Sequence, residues 1–157
     1  MTQQPTIMIC FERPESEEAQ SLIRQLDEDL FRRYPTLQAT HGLRSQDVSD
    51  PNFTFLVARM DGVPIGCGAL RVLEPGMSEV KRMFVIPQFR GRGIARRILE
   101  ALESRARELG HALVRLETGE GQPEAIGLYK SAGYREITGF GEYADNPFSV
   151  CFEKRLL

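Results

Sequence analysis

The run from Ser78 to Thr118 constrains this chain more than any other, because strand, glycine turn, helix and strand follow one another with few spare residues. Ser78 to Ile86 is rich in strand formers and stops at Pro87. The turn Gln88-Phe89-Arg90-Gly91-Arg92-Gly93-Ile94-Ala95 opens a helix predicted over Gly93 to Leu109. In that helix Ile94, Ile98, Leu99, Leu102, Ala106 and Leu109 form one apolar stripe. Arg96–Glu100 and Glu103–Arg107 are i,i+4 charge pairs on the wet side, and Gly110 ends the helix. Ala112 to Thr118 is the second strand. The unit requires two parallel strands and a right-handed crossover.

The turn has the composition of an anion site. Gly91 and Gly93 let backbone approach a ligand with no Cβ in the way. The first helical N–H groups lack intrahelical partners, and the helix dipole adds positive potential there. Arg90 and Arg92 bring charge to the same mouth. A solvated glycine turn is the plain alternative. A P-loop does not fit, since no Lys-Ser or Lys-Thr follows the glycines. The dinucleotide pattern fits poorly, because Arg96 stands at its last small position, although Glu117 lies where a ribose-binding acid would.

Elsewhere, Ile7 to Phe11 reads as a strand. Ala19, Leu22, Ile23, Leu26 and Leu30 mark a helix opened by Pro14 and Ser16 and closed by Pro35. Residues 36 to 52 read as loop with one helical turn. Phe53 to Met60 and Val63 to Leu73 are strands joined by Asp61-Gly62, a hairpin signal. Pro123 opens a helix to Ala132, and Tyr134 to Tyr143 and Ser149 to Leu156 are predicted as final strands. The fold class is α/β (α+β): a mixed, mostly antiparallel sheet of six to seven strands with helices on both faces, in one domain over 1–157.

Net charge is −2 in 157 residues, which disfavours a mainly electrostatic nucleic-acid binder. No signal peptide or membrane-length apolar run is evident, so a cytoplasmic location with no membrane partner is expected. Cys10, Cys67 and Cys151 are widely spaced with apolar neighbours, so small buried core residues are expected and neither metal nor disulfide is implied.

The chain resembles the GCN5-related N-acetyltransferase (GNAT) family. Gln88, Gly91 and Gly93 match its Q/R-x-x-G-x-G/A signature, set within Glu79-Val80-Lys81-Arg82-Met83-Phe84-Val85 and Gly93-Ile94-Ala95. Leu128-Tyr129-Lys130-Ser131-Ala132-Gly133-Tyr134 resembles the family's late helix ending. The resemblance implies acetyl-CoA as co-substrate, without a metal. Backbone of Met83, Phe84 and Val85 would carry the pantetheine arm as an added strand. Gln88 and the N–H groups from Arg90 through Gly91, Arg92, Gly93 and Ile94 to Ala95 would hold the pyrophosphate. The thioester would lie in a gap between the strands ending near Val85 and Thr118, and a homodimer is compatible with the family pattern.

Acyl transfer to an amine needs a neutral nucleophile, a stabilised oxyanion and a proton for the departing thiolate. Tyr129 is the candidate acid: a phenol with a pKa of ~10 stays protonated where a thiol of ~8.5 leaves. Packing on the helix face beside Leu128 is its plain alternative. Glu79 is the candidate base; holding a cationic substrate or pairing with Lys81 are its alternatives. Backbone N–H of Val85 or Met83 is the expected oxyanion donor. His41 is a lone histidine with a turn or surface role. Asp27, Glu28 and Asp29 would attract an amine, Arg32 and Arg33 a carboxylate, unless all are a solvated face. The loop Tyr143 to Pro147 is placed to close the acceptor pocket. A small-molecule amine acceptor is expected. A non-catalytic acyl-CoA-binding module and a protein lysine or N-terminal acetyltransferase are the alternatives.

Overall fold

The computed structural model describes residues 4–35 and 42–157, so His41 lies outside the described residues. Along the chain run β1 (Ile7–Phe11), α1 (Glu17–Arg33), α2 (Ser45–Val48), β2 (Thr54–Met60), β3 (Val63–Glu74), β4 (Met77–Val85), α3 (Ile94–Glu108), β5 (Leu113–Gly119), α4 (Pro123–Ser131), β6 (Arg135–Ile137) and β7 (Ser149–Arg155). They form one sheet of seven strands in the order β1-β2-β3-β4-β5-β7-β6. Every neighbouring pair is antiparallel except β4 with β5, which are joined through α3.

Strand alternation divides the core into two layers. Phe55, Val57, Cys67, Ala69 and Phe84 face α1, which presents Ala19, Leu22 and Leu26. Leu56, Ala58, Ile65, Leu70, Val80 and Leu116 face the other way, onto Ile94, Ile98, Leu99 and Leu102 of α3 and Tyr129 of α4. Helices therefore cover both faces, as the sequence predicts. Ser16 fixes the start of α1 by accepting from the Ala19 N–H at 3.1 Å. Asp61 and Gly62 take φ of 48° and 85°, the left-handed pair that a tight hairpin demands.

One irregularity organises the sheet. Cys67 pairs with Phe84 but Ala69 pairs with Lys81, so β4 carries an extra residue there. Arg82 absorbs it at φ 56°. Opposite, a Cβ on Gly68 would stand 2.7 Å from Met83 Sδ and 2.7 Å from Ile98 Cγ2, so only glycine admits Met83 beside α3 at this point. The pairing of β4 with β5 covers Met77 to Val80 against Leu113 to Leu116 and stops at the Val80–Leu116 pair.

Two expectations need correction. Tyr134 to Tyr143 is not a continuous strand: only Arg135–Ile137 pairs with β7, and Gly141–Tyr143 forms a 3-10 turn with Gly141 at φ 53°. That turn carries Tyr143 inward, to 3% exposure. Cys10 is exposed rather than buried, because β1 is an edge strand whose neighbour Met8 is also exposed. Cys67 is buried, and burial pushes its thiol up to about 12. Burial likewise raises Cys151. A disulfide reagent such as DTNB at pH 8 is therefore expected to titrate one thiol promptly in the native protein. Cys10→Ser should abolish that phase, and a prompt second thiol would contradict the burial of Cys67 and Cys151.

Candidate active site

A cavity of about 420 Å³ opens where β4 and β5 part. Its walls come from β4 (Glu79 to Val85), the far end of β5 (Glu117, Thr118, Gly119), the C-terminal half of α1, the start of α3, and α4 with Tyr129. Tyr143, Asn146 and Phe148 close one side, so the loop singled out in the sequence does reach the cavity.

The glycine turn enters from the α3 end. Gly91 and Gly93 have φ of 79° and 78°, and a Cβ on either would meet nothing within 4 Å, so the space before the turn is open. Gly93 is the N-cap of α3, with no side chain satisfying the first turn. The first intrahelical bond is Arg97 N–H to Gly93 O at 3.2 Å. The N–H groups of Ile94, Ala95 and Arg96 thus precede the helical ladder, and among the described residues no backbone acceptor takes them. Open space, bared amides and the positive helix end suit a diphosphate.

The predicted donor-site residues separate into two groups. Met83, Phe84, Val85, Arg90, Gly91, Gly93, Ile94 and Ala95 line the cavity. Gln88 does not; it sits in an exposed 3-10 turn over Pro87–Phe89. Arg92 also lies outside the lining, its guanidinium 5.4 Å over the Phe89 ring. Arg90 reaches back into the site: its Nε donates to Val85 O at 2.9 Å, and its guanidinium lies 5.6 Å over Phe84 and 3.7 Å from Asp29.

The two candidate catalytic side chains occupy different environments. Tyr129 is 5% exposed, edge-on to Tyr134 at 5.9 Å and tilted against Phe152 at 6.1 Å. Burial, reinforced by the charge of Glu117, pushes its phenol well above the usual range, so it stays protonated. Glu79 is fully buried in a charged network. Its Oε1 accepts from Arg71 Nε at 2.6 Å and its Oε2 from the Tyr143 hydroxyl at 2.6 Å. Arg71 also meets Asp47 at 3.2 Å. Burial opposes the charge on Arg71, but Glu79 and Asp47 outweigh it and hold the guanidinium protonated. Lys81 does not pair with Glu79; its Nζ donates to Tyr143 Oη at 2.9 Å and approaches Glu142 at 3.4 Å.

Sequence reasoning did not single out Arg71, Asp47, Arg82 or Thr118. The acids of α1 also find protein partners: Asp27 takes Arg82 at 2.5 Å, and Asp29 takes Arg33 at 3.0 Å. Arg33 in turn reaches Glu124 and donates to Gly121 O at 3.0 Å, tying α1 to the start of α4. Among the described residues no cluster of His, Cys, Asp and Glu is arranged to hold a metal, and no helix is long and apolar enough to cross a membrane.

A split parallel pair with a bared glycine turn at one end and a protonated phenol in its wall defines an acyl-CoA N-acyltransferase scaffold. The profile of the Acetyltransferase (GNAT) family matches residues 19–134. The chain is 41% identical over 153 residues to the IAA acetyltransferase of Azospirillum brasilense, covering 97% of this chain and 99% of that one. The crystal structure of an acyl-CoA N-acyltransferase from Klebsiella pneumoniae superposes with a TM-score of 0.81 at 35% identity, covering 96% and 98% of the two chains. The PaiA N-acetyltransferase of Thermoplasma acidophilum, solved in complex with coenzyme A, shares the fold with a TM-score of 0.70 at 18% identity and 94% and 99% coverage. This chain belongs to the GNAT family and is an N-acyltransferase.

The turn geometry makes a graded prediction. Gly91→Asp adds left-handed strain of roughly 1–2 kcal/mol and a negative charge facing the ligand. Coenzyme A affinity by calorimetry is expected to fall by about 100-fold or more. Gly91→Ala adds the strain without the charge and should lose far less. Equal losses would show that strain, not an anion site, governs the position.

Proposed function

We propose that this enzyme moves an acetyl group from acetyl-CoA to the primary amine of a small molecule by direct attack in a ternary complex. The observation that carries this reading is that the bared amides of Ile94 to Arg96 and the Tyr129 phenol belong to the same cavity, at the parting of β4 and β5. A volume of about 420 Å³ lies within the range of small-ligand sites, which favours a small acceptor over a protein one. The relative named IAA acetyltransferase supports the same choice.

In this reading the amides at the start of α3 orient the donor through its diphosphate, and the edge of β4 at Met83 to Val85, beyond its last pairing with β5, receives the pantetheine arm. Arg90 must first leave Val85 O, and the diphosphate gives its guanidinium an alternative anion. The amine, having lost its ammonium proton, forms a C–N bond to the carbonyl carbon. A backbone N–H of Met83 or Val85 supports the oxyanion. The C–S bond then breaks, and Tyr129 donates its proton to the sulfur. The proton lost from nitrogen on amide formation balances that donation once the phenol is reprotonated. Glu79 is the proposed base. Both of its oxygens are engaged, so it accepts a proton by relay, through Tyr143 or a bridging water.

Thiol release from acetyl-CoA against a panel of amines, in a Cys10→Ser background, tests the whole reading; absence of release with every amine would overturn it. Tyr129→Phe is expected to lower kcat by about 100-fold with little change in KM for acetyl-CoA. Because burial raises this phenol, its deprotonation should cause no loss of kcat below about pH 10. An unchanged kcat in the variant would remove Tyr129 from the acid role. Glu79→Gln should depress kcat/KM most near neutral pH and less where the amine is already neutral; a parallel loss at every pH would remove the base role.

A further inference from the structure

Two large apolar side chains that stand in solvent also line the cavity: Phe31 is 64% exposed and Phe148 41%. Single exposed apolar residues are ordinary on a protein surface, but two from distant parts of the chain lining one cavity point to a ligand. The end of β5 brings their segments together. Glu120 N–H donates to Phe148 O at 3.1 Å, and the next residue, Gly121, donates its N–H to the Tyr34 hydroxyl at 2.9 Å. Phe31 lies three residues before Tyr34, about one turn of α1. No side chain fits on Gly119 beside Tyr34, so this glycine lets the end of α1 approach β5 so closely. Leu30 and Tyr34 line the same cavity and add apolar surface.

These aromatic residues belong to the half proposed for the acceptor. Phe148 lies five residues after Tyr143, whose hydroxyl meets Glu79, the proposed base. Phe31 lies one helical turn after Asp27, which bonds Arg82 on β4. The donor turn meets α1 on a different stripe, through Arg90 and Asp29. The charged groups around the acceptor half already have protein partners. Glu79 is held by Arg71 and Tyr143, Lys81 by Tyr143 and Glu142, and Arg82 is paired with Asp27. Glu117 accepts from Ser149 Oγ at 2.6 Å. A second charge on the acceptor would have to break one of these contacts. An apolar body displaces only water from Phe31 and Phe148, which is the favourable direction.

Building on the acetyl-transfer reading above, we propose that the acceptor is a hydrophobic primary amine of the arylalkylamine class, whose ring lies against Phe31 and Phe148 at the mouth of the cavity. Its amine reaches inward toward Glu79 and the thioester. Aromatic walls favour an aryl ring, since ring pairs add to the gain from burial itself. The amine is the one ionisable group of the acceptor, and it reacts in its neutral form. Amino acids and polyamines carry a further charge and are poor acceptors.

The test compares thiol release from acetyl-CoA with phenethylamine, ethylamine, phenylalanine and 1,4-diaminobutane. Phenethylamine is expected to exceed ethylamine in kcat/KM by about tenfold or more, the lower end for burying a phenyl ring. It should exceed phenylalanine and the diamine by about tenfold or more, because their extra charge loses water without gaining a partner. Phe31→Ala and Phe148→Ala should each lower the phenethylamine-to-ethylamine ratio by about threefold to tenfold, through KM rather than kcat. The corresponding leucine variants should restore most of that ratio. Coenzyme A affinity, read by calorimetry, should move by less than about twofold. Should Phe148→Ala fail to fold, Phe31→Ala and the wild-type panel decide. Phenethylamine that does no better than ethylamine, phenylalanine or the diamine overturns the aromatic acceptor site and leaves acetyl transfer standing. Variants that weaken all amines alike, or that weaken coenzyme A binding instead, do the same. No release from any compound overturns the acetyl-transfer reading and this inference with it.

Discussion

The extra residue that β4 accommodates at Arg82 is the feature on which the site depends. A regular β4 would continue to pair with β5 beyond Val80 and Leu116 and fill the space where the cavity lies. The bulge instead turns β4 while it stays bonded to β3, where Gly66 still pairs with Val85. Gly68 makes this possible, since any side chain there would collide with Met83 and α3. One inserted residue on one strand therefore leaves backbone edges of both parallel strands facing the cavity. Because those edges belong to the middle of a seven-stranded sheet, they are held more rigidly than loop groups would be.

Splitting a sheet at its centre also opens the core, and the chain fills that opening with charge rather than with apolar side chains. Arg71, Glu79, Lys81 and Arg82 are all buried, on adjacent strands, within the wall of the cavity or just behind it. Such a cluster is a weak source of stability, because desolvation offsets most of the attraction. Breaking it is costly, since each charge would be left uncompensated. The chain Asp47–Arg71–Glu79–Tyr143–Lys81 thus fixes the inner ends of α2, β3, β4 and the 3-10 turn at Gly141–Tyr143 relative to one another. Its value is positional: it sets where the acceptor-side groups stand, much as the Arg33–Glu124 contact sets α1 against α4.

Most of the fold could be read from the sequence because its elements are locally consistent. The apolar stripe of α3, the Asp61-Gly62 turn and the capping Ser16 each specify their own structure. The glycine turn was legible for the same reason, as its chemistry lies in contiguous backbone. What escaped was non-local. Counting back from the Glu74–Met77 pair would set Arg71 opposite Val80, and a shift between Val72 and Glu74 places it opposite Glu79 instead. Pairing Glu79 with Lys81 was the natural reading of one strand; the real partner sits across a register slip. The strand expected through Tyr143 failed similarly, because Gly139 and Gly141 interrupt an otherwise strand-like composition, and the turn that results delivers Tyr143 to Glu79. Gln88 matches the family signature and Arg92 lies within it, yet both lie outside the cavity lining.

The two halves of the site rest on different physics, and this explains the contrast in legibility. The half proposed for the donor offers main-chain amides and a helix terminus, which any sequence that keeps Gly91, Gly93 and the following helix will supply. The half proposed for the acceptor is lined by side chains of α1, β4, β5 and the turn before β7, with Arg71 of β3 behind Glu79. Substitutions there change which groups face the gap without disturbing the backbone that presents them. A scaffold of this kind can keep one donor while its acceptor changes, since the two sets of contacts share only the strand edges between them. In this chain the bulge residue Arg82 lies in the cavity wall with a left-handed backbone and with its Nε unbonded, so the element that opens the gap also places a charged side chain beside it.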